Sequence, residues 1–401
     1  MVQAPLEIAN TGSGRTSFGM ILPTFVACLR RLGEFRGNAP MDARLHGIRG
    51  LAVLMVIASH SHVMGLAGQG GLGVWLFFVL SGFLLTQGFL DRPDLARSPA
   101  GVARFYVRRL KRLMPAYWIV VVLLFAPQMP DVRAFLAGNL LPLDGAMHLW
   151  SIKQEYLLYL LLPAIMLGAP LAQRHPLGFA AGVLMAGLLV HRFAGPTILT
   201  LRGNGEAMRF YAFPFFAGIA GAAFVRAPVW QTVIRARPTG VIADLAVAGF
   251  VGGVFLTANA WYGLPRDGRE PLVWEFLVPS AGACMLVLLA ALTGRGWLTG
   301  CIFGFAPLQF CGLCGYGLYL VHPWVIGQAW RLGVTRGPAL FILCVLGSSC
   351  LAAPLYCLVE RAFWRPRFSS AGGMSASTAM DTSPSNRRTY QESDAVQANV
   401  R

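Results

Sequence analysis

The chain has 401 residues and a mass of 43.3 kDa, is 56% apolar and only 12% charged, and has a mean hydropathy of +0.58. Charge is about half the globular norm of roughly 25%, too little to cover the surface of soluble domains, so the composition points to a polytopic membrane protein. In that setting the net charge of +16 is first a topology signal, and no nucleic-acid partner is expected.

A helix needs about 20 mainly apolar residues to cross the hydrocarbon core. The apolar run at 18–29 is too short, and the residues before it are not basic enough for a signal peptide. Residues 1–40 therefore read as an N-terminal arm, with Met41 as a candidate start. Ten stretches then qualify or nearly so: 48–66, 72–90, 114–129, 149–169, 177–193, 208–225, 240–261, 273–293, 310–330 and 338–358. They are too long and too evenly apolar for barrel strands. The expectation is an all-α transmembrane bundle of about ten spans over 41–368, followed by a disordered cytoplasmic tail at 369–401. The connections between spans are short, so no appended extracytoplasmic domain is expected.

Orientation follows from the basic residues. The 91–112 loop carries Arg92, Arg97, Arg104, Arg108, Arg109, Lys111 and Arg112, and the 226–239 loop adds Arg226, Arg235 and Arg237. The opposite loops are less basic. Both termini then fall on the cytoplasmic side of the inner membrane. The eight cysteines lie mostly in apolar stretches and read as packing residues. The spacing of Cys311 and Cys314 is metal-like but has no second ligand pair, so no metal site is expected.

Ionisable groups inside spans are costly and therefore informative. Arg49 and His60 are eleven residues apart, about three helical turns and roughly 16 Å of rise, so they share one face. Arg49 then stands at the cytoplasmic entrance and His60 beyond mid-depth, unless His60 is a packing histidine bonded to a carbonyl. Ser151, Glu155 and Tyr159 step by four along one stripe. Glu155 can be a snorkelling or structurally paired carboxylate, or it can orient an imidazole, His60 or His322. In the ninth stretch Pro323 frees the carbonyl of Tyr319 beside His322 and should kink the helix. Arg109 and Arg112 face together on the 104–115 segment. They serve either topology and anionic lipid or a phosphate cradle.

Taken in order, these motifs resemble the membrane acyltransferase-3 family of bacterial O-acyltransferases. The resemblance runs from about Asp42 to Arg361. It rests on His46 and Arg49 with His60 beyond, Phe77 to Ser81-Gly82, and Arg109, Arg112, Pro115 and Tyr117. His148, Trp150, Ser151, Glu155, Tyr159, Pro163, Arg209, Phe216, Gly218, Tyr316, Tyr319, His322, Pro323 and Glu360-Arg361 complete it. It implies a ten-helix bundle that takes an acyl group, typically acetyl, from cytoplasmic acyl-CoA. The group passes to a hydroxyl of a cell-surface glycan, a lipid-linked sugar or a small molecule. By this resemblance His60 is the catalytic histidine. Read from the residues themselves it is the general base, and Glu155 and His322 are further catalytic candidates. The resemblance ties Arg109 and Arg112 to the donor; Arg49 and Ser81 are further donor-site candidates, and no permanently held cofactor is expected. Ile152, Lys153 and Gln154 depart from the family pattern at the acceptor-facing end.

Two alternatives remain open at this level. Ser81 can be a nucleophile that carries the acyl group, although Ser81-Gly82 reads more simply as close helix packing. Buried ionisable groups in a basic bundle also mark a transporter or flippase.

Overall fold

Apolar runs in hydrocarbon must close their own backbone hydrogen bonds. In the computed structural model, which describes residues 41–63, 70–141, 145–193, 209–262 and 277–363, the regular elements are helices and no strand occurs among the described residues. In chain order the main helices are α1 (Met41–His60), α2 (Gly70–Leu90), α3 (Pro99–Val120), α4 (Trp150–Ile165), α5 (Pro176–Phe193), α6 (Arg209–Phe224) and α7 (Pro228–Arg235). There follow α8 (Thr239–Tyr262), α9 (Leu277–Thr293), α10 (Trp297–Phe303), α11 (Ala306–Leu313), α12 (Gly315–Arg331) and α13 (Gly337–Leu355). The arm and tail expected at 1–40 and 369–401 lie outside the described residues.

Five of these runs are long and apolar enough to cross a membrane: Gly70–Leu90, Pro99–Gln128, Met147–Arg174, Pro176–Phe193 and Gly337–Phe363. The pairs α6–α7, α9–α10 and α11–α12 are bent by 85°, 97° and 84°, and counting each as one span gives eight. Ten spans were expected. Of the other two expected stretches, α1 carries charged and polar residues in its first half, and Thr239–Val254 is a shorter apolar helix. Exposed leucines on spanning helices, among them Leu160, Leu189, Leu286 and Leu346, give the helices an apolar outer surface. A multi-pass membrane protein needs such a surface and a soluble one avoids it.

Three details depart from the sequence expectation. The 91–112 segment is not a loop: Ser98 caps α3 by accepting the Gly101 N–H at 3.3 Å, and Pro99 opens the helix. Arg109 and Arg112 therefore ride on the same helix run that spans, which continues through Pro115 into a π-helical turn at Val121–Phe125. α1 starts earlier than expected and ends at His60, with His62 in a left-handed turn at φ 52°. His60 is thus in the last turn of its helix, not within a helix running on to residue 66. Finally, the 310–330 stretch breaks at Cys314, while α12 passes through Pro323 unbroken.

Glycines bring the key helices into backbone contact. A Cβ on Gly50 would stand 1.9 Å from the Leu308 carbonyl oxygen, and one on Gly312 would stand 1.7 Å from that of His46. Only glycine allows α1 and α11 to cross this closely. Gly82 and Gly218 play the same part between α2 and α6, each with a carbonyl of the other helix 2.2 Å from the missing Cβ. These two crossings set where Arg49 and Ser81 point. Cys284, Cys311, Cys314 and Cys344 are buried free thiols in the same packed interior.

Candidate functional site

Polar side chains gather at two levels along α1. At its C-terminal end His60 is exposed, while His322 on α12 is fully buried behind it. Nδ1 of His60 lies 3.0 Å from the Val56 carbonyl oxygen and 3.3 Å from Nε2 of His322. Nδ1 of His322 lies 2.7 Å from the carbonyl oxygen of Tyr319. Pro323 has no N–H to give that carbonyl, so the neighbouring imidazole takes it.

These carbonyls decide the tautomers. A carbonyl oxygen only accepts, so both Nδ1 atoms carry the proton. Neutral His322 then presents a lone pair on Nε2 toward the His60 Nδ1–H. The remaining lone pair of His60 is on Nε2, which has no hydrogen-bond partner among the described residues. An exposed imidazole with a fixed proton on one nitrogen and a free lone pair on the other is arranged to accept a proton.

The turn before α4 adds a third imidazole. His148 donates from Nε2 to the Leu320 carbonyl at 3.0 Å, and its ring centre is 5.5 Å from that of His322. Tyr319 donates to the His148 carbonyl at 2.8 Å, and Ser151 donates to the Tyr319 hydroxyl at 2.6 Å. The start of α4 is thereby fastened to α12 next to His322.

The second level is carboxylate and arginine. Ser81 donates to Oε1 of Glu155 at 2.9 Å, and the Tyr159 hydroxyl donates to the same oxygen. Arg49 and Arg109 both lie within electrostatic reach of Glu155. Further along, His46, Arg49, Arg112, Leu313, Tyr356 and Glu360 line a small cleft of about 20 Å³. This is the arginine cleft.

The residues singled out from sequence are thus divided between the two levels. His60 and His322 meet directly. Arg49 and Arg112 meet at the cleft, and Arg109 approaches Glu155 with Ser81. Glu155 accepts from Ser81 and Tyr159, and among the described residues no hydrogen bond joins it to an imidazole. The Ser151, Glu155, Tyr159 stripe is also divided, because Ser151 turns to Tyr319. Lys153, part of the departure from the family pattern, is buried at 2% exposure. Sequence reasoning gave no role to Glu360, Tyr356 or His46. Tyr356 and Glu360, four positions apart in the π-helical turn Tyr356–Glu360, line the same cleft.

Comparison with known proteins adds the family. The acyltransferase domain model of the acyltransferase-3 family matches residues 42–369. The peptidoglycan O-acetyltransferase OatA of Listeria monocytogenes is 26% identical over 309 residues, 69% of this chain and 48% of its own length. The Bacillus subtilis protein YrhL, provisionally named a peptidoglycan O-acetyltransferase, is 24% identical over 79% of this chain and 54% of its own length. The chain therefore spans about half the length of these relatives. No solved structure matches. The match covers every described helix, including both polar levels along α1, and on that ground the chain belongs to the acyltransferase-3 family.

Proposed function

We propose that the protein is an integral-membrane O-acyltransferase of the inner membrane. It takes an acyl group, most simply acetyl, from cytoplasmic acyl-CoA and transfers it to a hydroxyl of a cell-surface glycan or lipid-linked sugar. The observation that carries this reading is His60, exposed at the end of α1 with Nε2 free and its tautomer fixed by Val56 and His322. The names of the relatives favour an O-acetyl transfer to a glycan such as peptidoglycan.

In this reading the donor's phosphates rest on Arg49 and Arg112 at the cleft, with Arg109 and Ser81 further along its path. The two levels are about 16 Å apart along α1, a distance the thin pantetheine arm can cross. At the far level His60 Nε2 takes the proton of the acceptor hydroxyl as its oxygen attacks the thioester carbonyl. The C–S bond then breaks, and the imidazolium returns the proton to the thiolate. His322 accepts from the His60 Nδ1–H throughout and steadies the imidazolium charge. Glu155, held by Ser81 and Tyr159, balances Arg49 and Arg109.

For topology, the five spanning runs and three bent pairs, together with α1 and Thr239–Val254, are compatible with ten crossings and with both termini inside. Release of free thiol from acetyl-CoA by purified protein given a glycan acceptor tests the reading. A transporter or flippase would bind or move its cargo without cleaving the thioester.

A further inference from the structure

Glu360 is the one carboxylate lining a cleft that also holds Arg49 and Arg112, with His46, Leu313 and Tyr356. It is buried to 7% exposure beside Gly317, and its Oε1 has no hydrogen-bond partner among the described residues. A buried carboxylate oxygen without a partner is costly, and such a vacancy inside a cleft marks a place where a ligand donates. Arg49 and Arg112 are the nearby cations. They make the cleft attractive to phosphate but leave Oε1 needing an N–H or O–H.

The local backbone is built for this placement. After Pro354 the helix widens into the π-helical turn Tyr356–Glu360, and Tyr356 and Glu360, four positions apart, both line the cleft. Turns of this kind often occur at functional positions. Opposite, Gly317 leaves room: a Cβ there would sit 3.4 Å from Oε1. The cleft's volume of about 20 Å³ takes a group about the size of one water, which is room for a single hydroxyl or N–H beside Oε1 and not for a nucleobase.

We propose that Glu360 is a specificity-determining residue of the donor site. With the donor's phosphate oxygens on Arg49 and Arg112, Oε1 accepts a hydrogen bond from a hydroxyl or amide N–H of the pantetheine arm. Its negative charge meanwhile weakens the hold of the two arginines on ligands that bring only phosphate, such as free pyrophosphate or a phospholipid headgroup. This rests on the donor reading above and adds to it the means by which a pantetheine thioester is told from a bare phosphate.

The test is calorimetric binding of CoA and of inorganic pyrophosphate to the full chain in nanodiscs. Glu360→Gln, which keeps the shape and removes the charge, should bind CoA about 5- to 10-fold more weakly and pyrophosphate more tightly. Glu360→Asp, which keeps the charge and withdraws the oxygen, should weaken CoA without changing pyrophosphate. Opposite signs for the two ligands in Glu360→Gln support the proposal. If both ligands bind more tightly, Glu360 only repels anions, and if both weaken or neither moves, it contributes structure alone; either result overturns the proposal. Wild-type protein that binds no CoA overturns the donor reading itself, and this inference with it.

Discussion

Nε2 of His322 lies 3.3 Å from Nδ1 of His60 across 262 positions of sequence. The contact depends on a proline. Pro323 cannot donate to the Tyr319 carbonyl, so Nδ1 of His322 does so at 2.7 Å and leaves Nε2 to face His60. Backbone chemistry on α12 thereby sets the protonation pattern of a side chain on α1.

Pro323→Ala tests this link. Alanine restores an N–H that competes for the Tyr319 carbonyl and frees the His322 ring to turn. Turnover should fall about 3- to 10-fold, in keeping with the loss of one hydrogen bond of about 1 kcal/mol, while the KM for acyl-CoA stays constant. His322→Ala should cost more, since it also removes the group facing His60 Nδ1. Steady-state kinetics with varied donor separate the effects. A rise in donor KM with unchanged kcat would place His322 on the donor path instead.

At the other level, Arg112→Ala should weaken donor binding about 10- to 100-fold, as a charge-assisted contact is worth about 1.5–3 kcal/mol. Lysine at 112 should rescue in part, because a point charge replaces a planar fork. Arg109, which approaches Glu155 and leaves its own Nε without a partner, should show a similar loss. Equilibrium binding of CoA is the measurement, and unchanged affinity in the double variant would leave these arginines only their topological part.

Gly312→Ala should prevent stable folding, because its Cβ would meet the His46 carbonyl oxygen at 1.7 Å, backbone against backbone. Overpacking of a tight core costs about 1–3 kcal/mol and sometimes more. Gly71→Ala, with no atom within 4 Å of the added methyl, should be tolerated. Monodispersity and the thermal midpoint in detergent distinguish the two. A normal Gly312→Ala protein would mean that α1 and α11 are not in backbone contact.

Sidedness can be read with reporters. A fusion at Arg97 should register inside and one at Pro130 outside, as the basic residues of the preceding segment require. An external Arg97 would put the arginine cleft on the wrong side for a cytoplasmic donor.

Much of this organisation was legible in the sequence. The eleven-residue interval on α1 gave the separation of Arg49 and His60, and Pro323 gave the free Tyr319 carbonyl. Ser81-Gly82 was legible as a packing pair because a glycine beside a small residue in an apolar run signals close helix approach. Three things were not legible. Charge density made 91–112 look like a loop, yet a capped, Pro-initiated helix tolerates arginines on its exposed face, as Arg104 and Arg108 show. Partner choice across the bundle depends on tertiary geometry, so Glu155 looked like an imidazole partner until Ser81 and Tyr159 were placed beside it. The approach of Glu360 to Arg49 and Arg112 joins three helical segments far apart in the chain, and apolar periodicity does not report such packing.

The most direct measurement is thiol release from acetyl-CoA by purified His60→Ala and His62→Ala proteins, with acceptor present. Loss of the general base in His60→Ala should cut turnover about 10²–10⁴-fold with CoA affinity unchanged. His62, exposed in the turn beyond α1, should be far more tolerant. The low-pH fall in rate, caused by protonation of Nε2, should vanish from the residual activity of His60→Ala. Near-normal turnover in His60→Ala together with its abolition in His322→Ala would contradict this and put the base on α12.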